Sequence, residues 1–204
     1  MLRLTRREVV LAAGLLPLLP SAARAADGIG TAAEVAGTAR LTHQGTAVPM
    51  VAGAALAEGD MAETGEDGLA LLILESDTRL NMGPATSVVL ARYLAEVGGT
   101  ITLGGAAGGA LVFDRPDDRP PIDLAIDTAF GTIGVRGTRL FAGPSGGSFA
   151  VFCQRGRVSV TQGETQRILE PGDGVDLGAA TVSPVAQWGA PRIAAAFALV
   201  GLTP

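Results

Sequence analysis

The sequence predicts an all-β fold, a sandwich or jelly roll with a short C-terminal helical tail, and three observations predict it. Short apolar segments recur between residues 30 and 180, each cut off by Gly, Pro, Asp or Ser, at the spacing of a sandwich or barrel. Several alternate at period two, as half-buried strands do. Ile122, Leu124 and Ile126 alternate with Asp123, Ala125 and Asp127, while Val158 and Val160 alternate with Arg157, Ser159 and Thr161. The tail, 181–204, reads differently: 191–202 has Pro191 near a first turn and fits one short helix packed against the sandwich.

Residues 1–25 read as an export signal. Arg3, Arg6 and Arg7 precede the apolar stretch 9–19, and Ala23-Arg24-Ala25 gives the small-x-small pattern for cleavage after Ala25. Thr5-Arg6-Arg7-Glu8-Val9-Val10-Leu11 resembles a twin-arginine signal, with the general secretory route as the alternative. The apolar stretch is shorter than the ~20 residues that span a bilayer. The mature chain is therefore expected to be periplasmic or otherwise exported, with no transmembrane segment. Without the signal's four arginines and one glutamate, 11 basic and 19 acidic residues remain, and every basic residue is Arg. So acidic a chain repels phosphates, and no nucleic-acid partner is expected.

In chain order, a first strand is expected over 34–41, returning over 46–48 through the turn Thr42-His43-Gln44-Gly45. Strands over 60–64 and 69–74 flank Gly65-Glu66-Asp67-Gly68, which suits a hairpin turn. Glu75-Ser76-Asp77 turns the chain into a strand over 78–82; Gly83-Pro84 ends it, and another strand starts at 87–90. Residues 91–97 fit either a helical turn or more strand. Strands over 100–103 and 109–113 surround a glycine-rich link, and 114–121 is a polar, proline-rich loop. The strand with Ile122, Leu124 and Ile126 then leads into GTIGVRGT, 131–138. There Ile133 and Val135 share one face, Thr132, Gly134 and Arg136 take the other, and Gly137 joins two short β-segments. After a turn at Pro144-Ser145-Gly146-Gly147, segments 149–154 and 157–161 form a hairpin across Arg155-Gly156. The expected core includes Val35, Leu72, Leu74, Leu80, Ile133, Val135, Phe152 and Val158.

GTIGVRGT, followed by the β-rich segment 149–160, resembles the central motif of the FecR domain. A Gly59-Asp60 entry, an acidic turn at Ser76-Asp77-Thr78, the break at Gly83-Pro84 and a closing turn over 168–173 extend the likeness across 34–177. The resemblance implies a β-sandwich in the cell envelope. It also implies signalling through protein contact, because the best-known members relay a receptor signal to a sigma factor. Their transmembrane segment and cytoplasmic anti-sigma domain are not expected here. What the resemblance implies is a non-enzymatic sensing or scaffolding module, bound to an envelope protein or to itself. Relatives with peptidoglycan-binding repeats imply the alternative, a cell-wall or polysaccharide-binding module. Gly134, Arg136, Gly137 and Thr138 occupy the motif and are expected to be structural.

Among candidate site residues, Arg136 stands out. Its guanidinium can pin the turn by pairing with Asp123, Asp127 or Asp173, the favoured reading, or can recognise an anionic ligand or a partner. Tyr93 and Trp188 are the rings a sugar would stack on, if exposed. Cys153 alternates within an apolar strand and reads as a buried thiol; beside His43, the single histidine, it makes no supported catalytic pair. No catalytic residue, metal site or cofactor is expected. One His and one Cys cannot supply the usual zinc, haem or iron–sulfur ligands. The acidic loop 171–176 stands alone, short of the 6–8 oxygens calcium takes.

Overall fold

A hairpin of two 15-residue strands, Gly131–Ser145 and Ser148–Gln162, forms the spine of the molecule. The computed structural model describes residues 28–179 and 181–204, so the expected signal and its cleavage site lie outside the described residues. In chain order the strands are β1 (Gly28–Ala36), β2 (Ala39–His43), β3 (Thr46–Pro49), β4 (Ala55–Ala57), β5 (Met61–Thr64) and β6 (Leu69–Leu74). Next come β7 (Thr78–Met82), β8 (Thr86–Leu94), β9 (Gly98–Gly105), β10 (Leu111–Asp114) and β11 (Asp123–Thr128). The spine is β12 and β13, followed by β14 (Thr165–Leu169), β15 (Asp173–Leu177) and β16 (Ala186–Gln187), and the helix α1 spans Ala190–Ala198.

These strands join one hydrogen-bonded network, in the order β3-β2-β5-β8-β9-β11-β12-β10-β7-β6-β1-β4, with β13 on the far side of β12. The sheet curls around one main core, so the layers of the expected sandwich are parts of a single sheet. Pairing is antiparallel except between β9 and β11. β12 is long enough to serve two neighbours on one side: β11 pairs with its first half and β10 with its second.

The structure corrects four local expectations. The strand placed over 34–41 breaks at Gly37, φ +65°, into β1 and β2. The turn Gly65-Glu66-Asp67-Gly68 forms, with the Gly68 N–H donating to the Gly65 carbonyl, but it makes no hairpin. β5 pairs with β2 and β8 while β6 pairs with β1 and β7, so this turn is a crossover. Turn chemistry sets the local bend, whereas pairing depends on which edges are available. Residues 149–161 are one strand, not a hairpin across Arg155-Gly156; the hairpin turns lie at 146–147 and 163–164. Likewise Gly137 lies inside one continuous strand and marks a bulge. Of 91–97, the first part continues β8.

The bulge explains the burial pattern of the spine. Before it, odd-numbered Ile133 and Val135 face the main core; beyond it, even-numbered Leu140 and Ala142 do. β13 flips in step, from Phe149, Val151 and Cys153 to Val158 and Val160. One extra residue in each strand inverts a period-two pattern. The extra residue of β12 falls at Gly137–Thr138, opposite Gly156, and that of β13 at Gln154; the two facing glycines have positive φ, Gly137 at +57° and Gly156 at +82°. A Cβ on Gly156 would run into the Gly137 carbonyl oxygen. All the expected core residues are buried except Val35, which is half-buried against the core. Phe152 belongs to a second cluster, on the outer face of the spine.

That second cluster is built by the tail. Trp188, Ala196, Phe197 and Val200 cover Val112, Phe141, Ala150 and Phe152. Trp188 stacks on Phe152 at 5.0 Å between ring centroids. Arg192 lies 3.8 Å over the Trp188 ring and pairs with Asp176, while Arg139 sits 5.1 Å from the Phe197 ring. The tail therefore docks on the sheet as expected, and adds the short strand β16 to it.

Candidate functional site

The outer face of the spine changes character at the bulge. In the second half it lies under the tail; in the first half it is open, and an uncovered groove of about 380 Å³ crosses it. The register explains the shape. Thr100, Ala125, Gly134, Ser159 and Ile168 stand side by side across β9, β11, β12, β13 and β14. Short side chains in the middle of this row leave a trough. The neighbouring row on one side runs Asp123, Arg136, Arg157, and Glu170 closes it, accepting a hydrogen bond from Arg157 Nε at 3.0 Å within an ion pair at 2.8 Å. On the other side stand Asp127, Thr132 and Thr161, with the Thr132 hydroxyl donating to Asp127 at 2.8 Å.

Three motif residues meet here in separate roles. Gly134 forms the floor, where a Cβ would press on Ser159 Oγ. Gly137 makes the bulge. Arg136 is exposed on the groove wall. Thr138 points away and is fully buried, its backbone carbonyl accepting the Arg115 N–H at 3.1 Å. The expectation that Arg136 pins the turn is not met. No hydrogen bond or ion pair within 4.0 Å joins it to Asp123, Asp127 or Asp173 among the described residues. Asp127 accepts from Thr132, and Asp173 accepts from the Glu170 N–H at 3.0 Å and from Gln187 Nε2 at 2.6 Å.

Other arginines hold the bulge. Arg155 donates to Asp114 at 3.0 Å and to the Arg115 carbonyl at 2.6 Å, and pairs with Asp117 at 2.6 Å; Arg139 reaches Asp114 at 3.6 Å. Arg115 is itself 1% exposed. Its guanidinium donates to the Pro120 carbonyl at 2.7 Å, the Ala95 carbonyl at 2.9 Å and Thr78 Oγ1 at 2.9 Å. These bonds tie the proline-rich loop to β7 and to the β8–β9 turn. In the sequence Arg115 is one charge in a polar loop, and no local pattern marks it as buried. Only the loop's tertiary path over the bulge makes it a hub.

Tyr93 and Trp188 do not offer stacking surfaces. Tyr93 is 1% exposed, its hydroxyl 2.8 Å from Thr78 Oγ1 and 3.0 Å from the Glu75 carbonyl oxygen, and burial raises its pKa. Trp188 is 8% exposed and lies in the tail cluster. Neither ring lines the groove. Cys153 is buried, and burial pushes its thiol up to about 11, against the activation a nucleophile needs. His43 pairs through Nδ1 with the buried carboxylate of Asp60. Among the described residues no group of three or more His, Cys, Asp or Glu could hold a metal ion, and no helix is long and apolar enough to cross a membrane.

Residues 60–159, from the entry of β5 into β13, match the family model described as FecR protein. The chain carries a FecR domain. The bulge, the groove floor and Arg136 all lie within the matched span. Among solved structures, the fold is similar to a candidate anti-sigma factor from Parabacteroides distasonis ATCC 8503, with TM-score 0.55 and 15% identity over 69% of this chain and 65% of that one. A second such structure from the same organism gives TM-score 0.49 and 13% identity, over 62% of this chain and 59% of that one. The chain thus spans less than two thirds of either. No curated protein matches.

Proposed function

We propose that this FecR domain is an exported, non-catalytic signalling module of the cell envelope that acts by contact with another protein or with itself. The observation that carries the reading is the FecR match over 60–159. Similarity to the Parabacteroides structure supports the fold, and its description as a candidate anti-sigma factor is consistent with a regulatory setting. Contact is favoured over sugar binding by the surface. Tyr93 and Trp188, the two rings named for sugar stacking, are both buried, whereas β3 is exposed at every residue and among the described residues pairs only with β2. Among the same residues β14 pairs only with β13. Such unpaired edges are ready templates for another chain. The reading of 1–25 as an export signal supports a periplasmic setting for the contact.

In-cell crosslinking of the native protein, followed by purification from the periplasmic fraction, tests this reading. A specific crosslinked protein, or a crosslinked homo-oligomer, is expected. Retention on peptidoglycan or polysaccharide with no protein crosslink would overturn it, as would recovery of the full-length chain, Met1 intact, from the cytoplasm.

A further inference from the structure

We infer that the open groove on the outer face of the β12–β13 spine is where the partner docks. Its occupant is an extended segment of a partner protein carrying one carboxylate and one apolar side chain. The inference rests on the protein-contact reading above and names the surface that reading leaves unspecified. The first support is the spine itself. Its two halves share strands, yet among the described residues only one half has a cover. There the chain supplies its own: α1 and Trp188 give apolar anchors to Phe141 and Phe152, and Arg192 gives a single charged contact to Asp176. The uncovered half presents a matching set with the charges reversed. Among the described residues Arg136 stands on the wall without a carboxylate partner within 4.0 Å, whereas its neighbour Arg157 is already engaged by Glu170. Ile168 ends the row at the β14 edge, 45% exposed.

The second support is shape. The floor residues Ala125, Gly134 and Ser159 are small and lie in register, so a backbone can run across three strands without striking a large side chain. No aromatic ring lines the groove, which argues against a neutral glycan, whose flat faces stack on rings. A carboxylate on the occupant meets the planar fork of Arg136, a geometry that Lys would not reproduce. Arg136 and Ile168 stand two strand spacings and two residues apart, about 12 Å. An extended peptide covers that span in roughly three to four residues. The occupant's acidic residue is thus separated from its Leu, Ile, Val or Phe by that interval.

Selection from a randomised linear peptide library on the purified chain, with Arg136→Gln and Ala125→Gln as parallel targets, tests the inference. Arg136→Gln removes the fork, and Ala125→Gln fills the trough; thermal melts establish that each variant is folded. Enriched peptides are expected to share an acidic residue three or four positions from an apolar one. They should bind at least tenfold more weakly to both variants, with amide chemical-shift changes at Gly134, Ser159 and Ile168. Peptides that bind the variants equally well would sink the groove as the docking surface while leaving protein contact intact. Enrichment without an acidic residue would sink the role of Arg136. Failure of any peptide to enrich, with soluble polygalacturonate shifting the same amides, would assign the groove to an anionic glycan and overturn both readings.

Discussion

The two halves of the β12–β13 hairpin make an internal comparison. Each is an antiparallel ladder with its inner face in the main core, and they part at one pair of glycines. Beyond Gly137 and Gly156 the outer face carries Phe141 and Phe152 and lies under the tail; before them it carries Thr132, Gly134, Arg136, Arg157 and Ser159 and is open. Strand geometry is common to both. What differs is the parity of the side chains, which the paired bulges invert, and the presence of a cover. One region is thus built for stability, and the other keeps a polar, shaped surface.

The largest effect should follow from removing the parity change. Gly156→Val places a Cβ against the Gly137 carbonyl oxygen at a φ of +82°, and is expected to cost about 3 kcal/mol or more in urea denaturation. Gly137→Ala should be milder, about 1–2 kcal/mol. Its φ of +57° is one that other residues visit, and its Cβ would meet only Pro121, at 3.1 Å. Equal losses would mean that the bulge does not depend on the close approach at Gly156.

Phe152→Ala tests the covered half and should cost about 3–5 kcal/mol, since the ring is buried and stacked on Trp188. A loss below about 1 kcal/mol would show the tail to be loosely docked. Arg192→Ala removes the stacking on Trp188 and a partly exposed ion pair with Asp176, and about 1–2 kcal/mol is expected.

Alkaline pH probes the boundary itself, where Cys153 Sγ lies 3.6 Å from the carbonyl oxygens of Arg155 and Gly156. Burial raises this thiol from an ordinary value near 9 to about 11. The folded chain then holds the proton more tightly than the unfolded chain does. Its contribution is whole below pH 9 and is lost as pH rises towards 11. Melts of the native chain should decline through that window more steeply than those of Cys153→Ala; parallel slopes would remove the thiol from the account. The smallest effect belongs to Arg136→Ala in the open half, expected within about 0.5 kcal/mol of the parent. A large drop in melting temperature would return Arg136 to a pinning role and weaken the case for the groove.

Much of the local order was legible in the residues. Period-two alternation placed Ile133, Val135, Val158 and Val160 on the core side, and a residue without Cβ at Gly137 pointed to the positive φ found there. Pro191 marked the start of a single short helix in the tail. The turn at Gly65-Glu66-Asp67-Gly68 was also read correctly as a turn, yet its strands separate to different neighbours. The hairpin expected across Arg155-Gly156 failed for a related reason. A Gly flanked by apolar alternation reads alike whether it reverses a chain or bulges within it, and the choice depends on the strand opposite.

The sequence by itself determined the all-β class, the inward faces, the glycine positions and the family motif, because these follow from side-chain period and backbone sterics along a few neighbouring residues. Tertiary structure alone decided which arginine is structural. Arg115 and Arg136 are both polar-stretch arginines in the sequence, 21 positions apart. One is buried because the proline-rich loop folds over the bulge and brings it against the carbonyl oxygens of Pro120 and Ala95; the other stays in solvent because nothing in the described chain covers the outer face of its half of β12. Burial of a charge depends on what distant segments bring to it, and that information resides in the packing, not in the neighbouring letters.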